Sequence, residues 1–381
     1  MKKIFLFLIL LLCFFLIACG GGGDSDDDIV LIRTETGTLF YYILNNEVVI
    51  YKVTDDGKRL TAIDIPASID GYPVTGIEKR AFYGCNGFTG TLTIPNTVTS
   101  IGEAAFYGCS GFTGTLTIPP GVTSIGQFAF HGCSGFTGDL TIPNTITNIE
   151  KNLFTRCSGF NGTLTIPNTV TSIGKQAFYG CSGLTGTLTI PNTVTSIGQA
   201  AFYNCSGFTG NLTIPDAVTN IEIATFYGCS GLTGTLTIPS GVTSIGESAF
   251  YGCSGLTGTL TIPNTVTSIG EYAFRGCSGL TGNLTIPAGV TSIGEATFLE
   301  CSGLTGNLTI PSSVTSIEEA AFYGCSGLTS IRVECTTPPT LGIDVFPPAS
   351  QITSIQVPPG TVDTYKGAAG WSTYADNISS Y

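Results

Sequence analysis

Cysteine carries the most latent chemistry in this sequence, because its spacing is fixed. Eleven of the fourteen cysteines, Cys85 to Cys325, follow one another at an unbroken interval of 24 residues. Such a column could form disulfides, hold zinc or supply a nucleophile. Zinc needs several ligands converging from one or two neighbouring segments, whereas each interval offers one cysteine and no recurring histidine. If successive intervals stack, their Cα atoms sit about 4.8 Å apart, within disulfide reach. Side chains in register point the same way, however, and eleven members cannot all pair. The reading that remains is a small buried apolar residue closing each turn. Cys335 lies outside the column, and its pairing with Cys325 stays open.

Other catalytic groups are sparse. His131, the one histidine, stands where most intervals carry tyrosine, which places it on the exposed side of a turn. A Cys–His or Ser–His dyad needs an orienting third group and an oxyanion pocket, and the sequence implies no cleft. Glu103, Glu247, Glu271, Glu295 and Glu319 share one column, spread along the chain rather than paired at glycosidase distances. Neither enzyme activity nor a metal or cofactor is expected.

The elements that position these columns follow from the repeat. The unit TLTIPNTVTSIGEAAFYGCSGFTG at 91–114 recurs ten times, without insertion or deletion, through Ser330. A fixed period of this length marks a solenoid, whose coils bury their apolar faces only by stacking. Leu92 and Ile94 alternate with Thr91 and Thr93, as in a half-buried strand, and Pro95 ends it. Val98 and Ile101 form a second short apolar pair. Ile101, Ala105, Phe106 and Cys109, at offsets of four, five and eight, fit one face of a helical turn. Gly111 and Gly114 permit the turns on either side of an inward Phe112. The expected fold is an α/β-type repeat solenoid of 24-residue coils, with parallel strands, short helical turns and divergent ends.

The pattern L-x-I-P-x-x-V-T-x-I-x-x-x-A-F-x-x-C-x-x-L resembles the BspA-type leucine-rich repeat of bacterial and protist surface proteins. The resemblance covers almost everything after residue 28. It implies an N-terminal cap and first coil over 29–90, ten leucine-rich repeats over 91–330 and a C-terminal cap over 331–381. Phe40-Tyr41-Tyr42-Ile43 would begin a hairpin in the first cap, and Trp371 would pack in the second. The motif is specific for fold and only suggestive for function, since solenoid surfaces are reused for unrelated partners.

The N-terminus reads as an export signal. Lys2 and Lys3 precede an apolar run, Ile4 to Ile17, too short for a comfortable membrane span. It ends in Leu16-Ile17-Ala18-Cys19-Gly20, which resembles the bacterial lipobox. Residues 1–18 are therefore expected to be a lipoprotein signal peptide and Cys19 the lipid-attachment residue. Each buried methylene contributes about 0.8 kcal/mol, so several chains hold firmly where one is marginal. Residues 19–28, Gly-rich and then acidic, form a flexible tether. This tether resembles the surface-export signal of Bacteroidetes lipoproteins or is simply a solvated linker.

Removal of Lys2 and Lys3 with the signal takes the net charge from −12 to −14. No basic cluster exists, which argues against nucleic acid as a partner. The expected location is the cell envelope, lipid-anchored, on the outer surface.

Three surface features could carry recognition. Thr93 and its equivalents to Thr309 form an outward threonine ladder on the main sheet. Tyr83, Tyr107, Tyr179, Tyr203, Tyr227, Tyr251 and Tyr323 project from the turn, one residue past the buried Phe, and Tyr107, Tyr179, Tyr203, Tyr227 and Tyr251 are candidates for the partner-binding surface. Finally, two consecutive units spanning 115–162 depart from consensus at Phe128, His131, Asp139, Asn148, Glu150, Lys151, Asn152, Thr155 and Arg156, a local charged patch. The expected function is non-enzymatic adhesion or recognition of a protein partner through the solenoid face. By resemblance, that partner would be a host matrix or plasma protein or another microbial surface protein. A glycan-binding module is the alternative, and ice binding by the threonine ladder a third.

Overall fold

The computed structural model describes residues 34–35, 39–53 and 63–381. Stacking of the coils follows from the burial pattern. In each coil the Leu and Ile of L-T-I, the Val, the Ile of S-I, the Phe, the Cys and the second Phe or Leu are all buried, forming one continuous apolar column. The leading Phe rings stack from Phe82 to Phe346, with successive centroids 5.0–5.8 Å apart. Offset stacking at this spacing adds to the area buried. A glycine follows every Cys-Ser or Cys-Asn pair because the coils touch there: a Cβ on Gly207 would collide with the backbone oxygen of Leu184.

The backbone pairing corrects two expectations. The Leu-Thr strand was expected to form the main sheet. It pairs in parallel only where Leu140–Thr141 meets Leu164–Thr165, Leu212–Thr213 meets Leu236–Thr237, and at the two ends. Pairing is more extensive at Ser-Ile, in parallel runs of three coils: 76–77 to 124–125, 148–149 to 196–197, 220–221 to 268–269 and 292–293 to 340–341.

The second correction concerns the helical turn, which does not form. From 102 to 109 alternate residues bond within and between coils. Ala105, Tyr107 and Cys109 donate to the carbonyl three residues back, while Ala104, Phe106 and Gly108 donate to Gln127, Ala129 and His131 of the next coil at 2.7–2.9 Å. A helix would satisfy all these groups internally. Here Ala104 (φ 53°) and Gly108 (φ 72°) lie in the left-handed region, turning alternate peptides outward along the solenoid. The turn is thereby the hydrogen-bonded ladder that runs through every repeat.

At the N-terminal end, Leu39–Leu44 and Glu47–Val53 form the expected hairpin, turned by left-handed Asn45 and Asn46. Glu47–Val53 pairs in parallel with Tyr72–Ile77 and so joins the solenoid. At the other end, strand Leu328–Val333 is followed by the short strand Thr340–Leu341, strand Ser354–Val357, helix Val362–Gly367, the 3-10 turn Trp371–Asn377 and strand Ile378–Ser380. Trp371 is fully buried, 5.7 Å from Phe346, and its Nε1 donates to the Pro339 carbonyl at 2.8 Å. No helix among the described residues is long and apolar enough to cross a membrane. Cys19, the export signal and the tether lie outside the described residues.

Candidate interaction surface

The cysteine column belongs to the core. Cys85 to Cys325 and Cys335 are buried, and Cys109 to Cys325 and Cys335 are free thiols. Each thiol from Cys109 onward donates to the carbonyl of the Phe 27 residues earlier, at 3.0–3.1 Å. That same carbonyl accepts the N–H of its own coil's cysteine, so the thiol adds a cross-link between coils. Burial pushes the thiols of Cys181, Cys229 and Cys325 up to about 12, which withholds the thiolate that metal binding or attack requires. Cys335 donates to Pro311 and Val314 carbonyls. No group of three metal-ligating residues occurs among the described residues.

The tyrosine column does form, and it is broken in one place. Tyr83, Tyr107 and His131 stack at 4.8 and 4.4 Å. Tyr179, Tyr203, Tyr227 and Tyr251 stack at 4.5, 4.4 and 4.5 Å. Between the runs stands Thr155, buried with its hydroxyl donating to the Gln176 carbonyl at 2.6 Å. Arg275 closes the second run, its guanidinium 5.2 Å from the Tyr251 ring. Rings at this spacing cover one another's faces, so solvent meets mainly edges and hydroxyls. Burial and the neighbouring phenols of Tyr227 and Tyr179 push the Tyr203 hydroxyl up to about 12.

His131 was expected on the exposed side of the turn. It is half-buried against Tyr107, and its Nδ1 is buried without a hydrogen-bond partner. Burial, then the charge of Arg156, lowers its pKa below the ordinary value, so the ring is neutral near pH 7. Lys151 and Arg156 are exposed on the same turn face. Asp139 does not join them. It precedes the Leu140–Thr141 strand, where its carboxylate accepts the Thr163 N–H at 2.6 Å and the Thr163 hydroxyl at 2.9 Å. Those two bonds hold its carboxyl below the usual aspartate range.

Asn211 and Asn283 repeat this clamp on Thr235 and Asn307, each at 2.9 Å. Asn148 and Asn220 accept instead from the hydroxyls of Ser172 and Ser244, at 2.8 and 2.9 Å. These residues recur three coils apart, matching the three-coil runs of backbone pairing. The signal was present in the sequence as Asp139, Asn211 and Asn283 at equal intervals, a period nested above the 24-residue one.

The model for the "BspA type leucine rich repeat region" matches residues 75–209, 161–281 and 280–369. The chain belongs to the BspA-type leucine-rich repeat family. Among solved structures, a leucine-rich cell surface protein of Faecalibacterium prausnitzii A2-165 is 29% identical, with a TM-score of 0.50 over 82% of this chain and 96% of that one. A leucine-rich repeat protein of Bacteroides ovatus ATCC 8483 is 25% identical, with a TM-score of 0.41 over 81% of this chain and 95% of that one. No curated protein matches the sequence. Within the BspA-type scaffold seen here, charged side chains on the turn face differ from coil to coil while the core of the strand does not. The position of Glu103 reads Glu, Gln, Lys, Lys, Gln, Ile, Glu, Glu, Glu, Glu through the ten repeats, while the strand keeps L-T-I-P in every one.

Proposed function

We propose that this protein is a non-enzymatic recognition or adhesion protein of the bacterial surface, held by lipid on Cys19, which binds a protein partner through the turn face. The observation that carries the reading is the contrast just described. The L-T-I-P strand, the same in every coil, offers a partner no unique address, whereas the turn face combines stacked aromatics with charges that change along the solenoid. The F. prausnitzii neighbour, described as a cell surface protein, supports the location. Several equal coil spacings also let modest contacts sum to avidity.

The stacked tyrosines favour protein over glycan, because sugar recognition uses open ring faces and these are covered at 4.4–4.5 Å. The threonine ladder gives no comparable support to ice binding, since its strand pairs only intermittently. Two experiments test the proposal. Binding of the full chain to panels of matrix, plasma and bacterial surface proteins and to a glycan array is expected to be saturable on protein and lost on substituting His131, Lys151 and Arg156 together. Absence of saturable binding, or binding to glycans alone, overturns it. Protease treatment of intact cells is expected to digest the chain, and Cys19→Ser to release it from the envelope; a protected chain excludes adhesion.

A further inference from the structure

Charge on the turn face is not scattered but divided. Within repeats 91–330, the turns on the N-terminal side of the middle coils carry the cations Lys151, Arg156 and Lys175, with only Glu103 and Glu150 as acidic residues. Glu222 lies in a middle coil, and on the C-terminal side the turns carry Glu247, Glu271, Glu295, Glu300, Glu318 and Glu319. Lys151, Lys175, Glu247 and Glu271 are exposed, and none has an ion-pair partner within the described residues. The division is also symmetric. Gln199 and the exposed Ile223 occupy the same place in two adjacent coils. One coil outward from them stand Lys175 and Glu247, and one coil further Lys151 and Glu271. The tyrosine run has the same centre, with Tyr203 and Tyr227 inside and Tyr179 and Tyr251 outside.

We infer that the turn face binds a second copy of this chain, antiparallel, about a two-fold axis between the coils of Gln199 and Ile223. An isologous contact requires a patch complementary to itself after a half-turn. Antiparallel alignment supplies this, because both copies have the same coil spacing. Lys175 of each then meets Glu247 of the other, Lys151 meets Glu271, and Ile223 meets Gln199. The parallel alternative places like charges opposite one another throughout and is disfavoured. Further out, Glu103 falls opposite Glu319, but Glu103 is already held by Lys79 at 3.0 Å. Arg275, the one cation in the acidic turns, falls opposite the uncharged Thr155 and is stacked on Tyr251. The inference rests on the turn face being the recognition face and names its partner. An antiparallel pair places the two N-terminal hairpins, 39–53, at opposite ends, which suits chains that the proposed lipid on Cys19 would hold on facing cells.

Sedimentation velocity of the full chain in mild detergent tests this. The wild type is expected to dimerise with an affinity that falls as salt rises. K151E/K175E presents glutamate at all four positions, and E247K/E271K presents lysine at all four. Each alone is expected to self-associate at least about tenfold more weakly, while a mixture of the two forms a heterodimer at wild-type strength. That rescue separates surface complementarity from misfolding. A wild type that stays monomeric at every concentration, or variants that dimerise as it does, overturns the inference. Saturable binding of a heterologous protein by a monomeric wild type would leave the recognition reading standing alone.

Discussion

The strand faces and the turn face of this solenoid are built from the same 24-residue unit, yet they treat side chains in opposite ways. On the strand side the polar groups bond to the neighbouring coil: Thr99, Thr123, Thr195 and Thr315 each donate to the carbonyl of the equivalent threonine 24 residues back. Asp139, Asn211 and Asn283 add clamps every third coil. On the turn side the backbone forms the coil-to-coil ladder by itself. Apart from the buried, bonded Thr155, Thr225 and Thr297, side chains on that face are released from structural duty, which lets charge and aromatic identity vary with little cost to the stack. The difference teaches where to look for specificity in a near-identical repeat: at positions where the backbone needs nothing from the side chain.

The largest effect is expected from breaking the stack at its end. Each coil contacts only its neighbours, so stability is a sum of coil and interface terms. Deleting 331–381 exposes the face of Leu308, Ile310, Val314, Ile317 and Phe322 and an unpaired strand edge, and aggregation should follow. Deleting 259–282, one coil in phase, should leave a shorter soluble chain. Sedimentation of the two deletions compares them, and the reverse result would dismantle the nearest-neighbour picture.

Next in size is a contrast between adjacent residues. Phe202 is fully buried in the ring stack, whereas Tyr203 is half-buried on the turn face. Phe202→Ala should cost about 3–5 kcal/mol, and Tyr203→Ala no more than about 1 kcal/mol, by denaturant unfolding. Equal costs would place the turn aromatics in the structural role denied them here.

The clamps should register more weakly. Asn211→Ala removes an acceptor from Thr235 and should cost about 0.5–1.5 kcal/mol, while Asn211→Asp keeps the acceptor and should lie near the wild type. The smallest effect is expected at Asp139. Its folded pKa is depressed below the ordinary 3.8 by the Thr163 N–H and hydroxyl, so its stabilising contribution is present above 3.8 and lost as pH falls through the lower folded value. Asp139→Asn should abolish that acid-range loss and leave the stability at neutral pH little changed. A D139N curve parallel to the wild type across the acid range would show that the carboxylate is not the clamp.

Much of this was legible before any coordinates. Burial of Leu92, Ile94, Val98, Ile101, Ala105, Phe106, Cys109 and Phe112 follows from alternation and spacing, and all eight are buried. The structural part played by the cysteines followed from the want of converging ligands. The form of the turn is not legible in that spacing, because offsets of four, five and eight suit a helix and an alternating turn equally. The distinguishing sign was the glycine recurring at Gly108, Gly132 and Gly180, a mark of left-handed backbone rather than helix. Asp139 is near Lys151 and Arg156 in sequence but stands at the strand, bonded to Thr163, because the phase around the coil separates them.

What the sequence determined by itself is the stack, since a constant period with inward apolar residues admits few other solutions. What only the tertiary structure decided is which groups remain free after stacking. Whether a threonine, aspartate or tyrosine meets solvent or the next coil depends on contacts with a residue 24 positions away. The phase of each side chain around the coil settles that, and linear spacing within one unit does not record it.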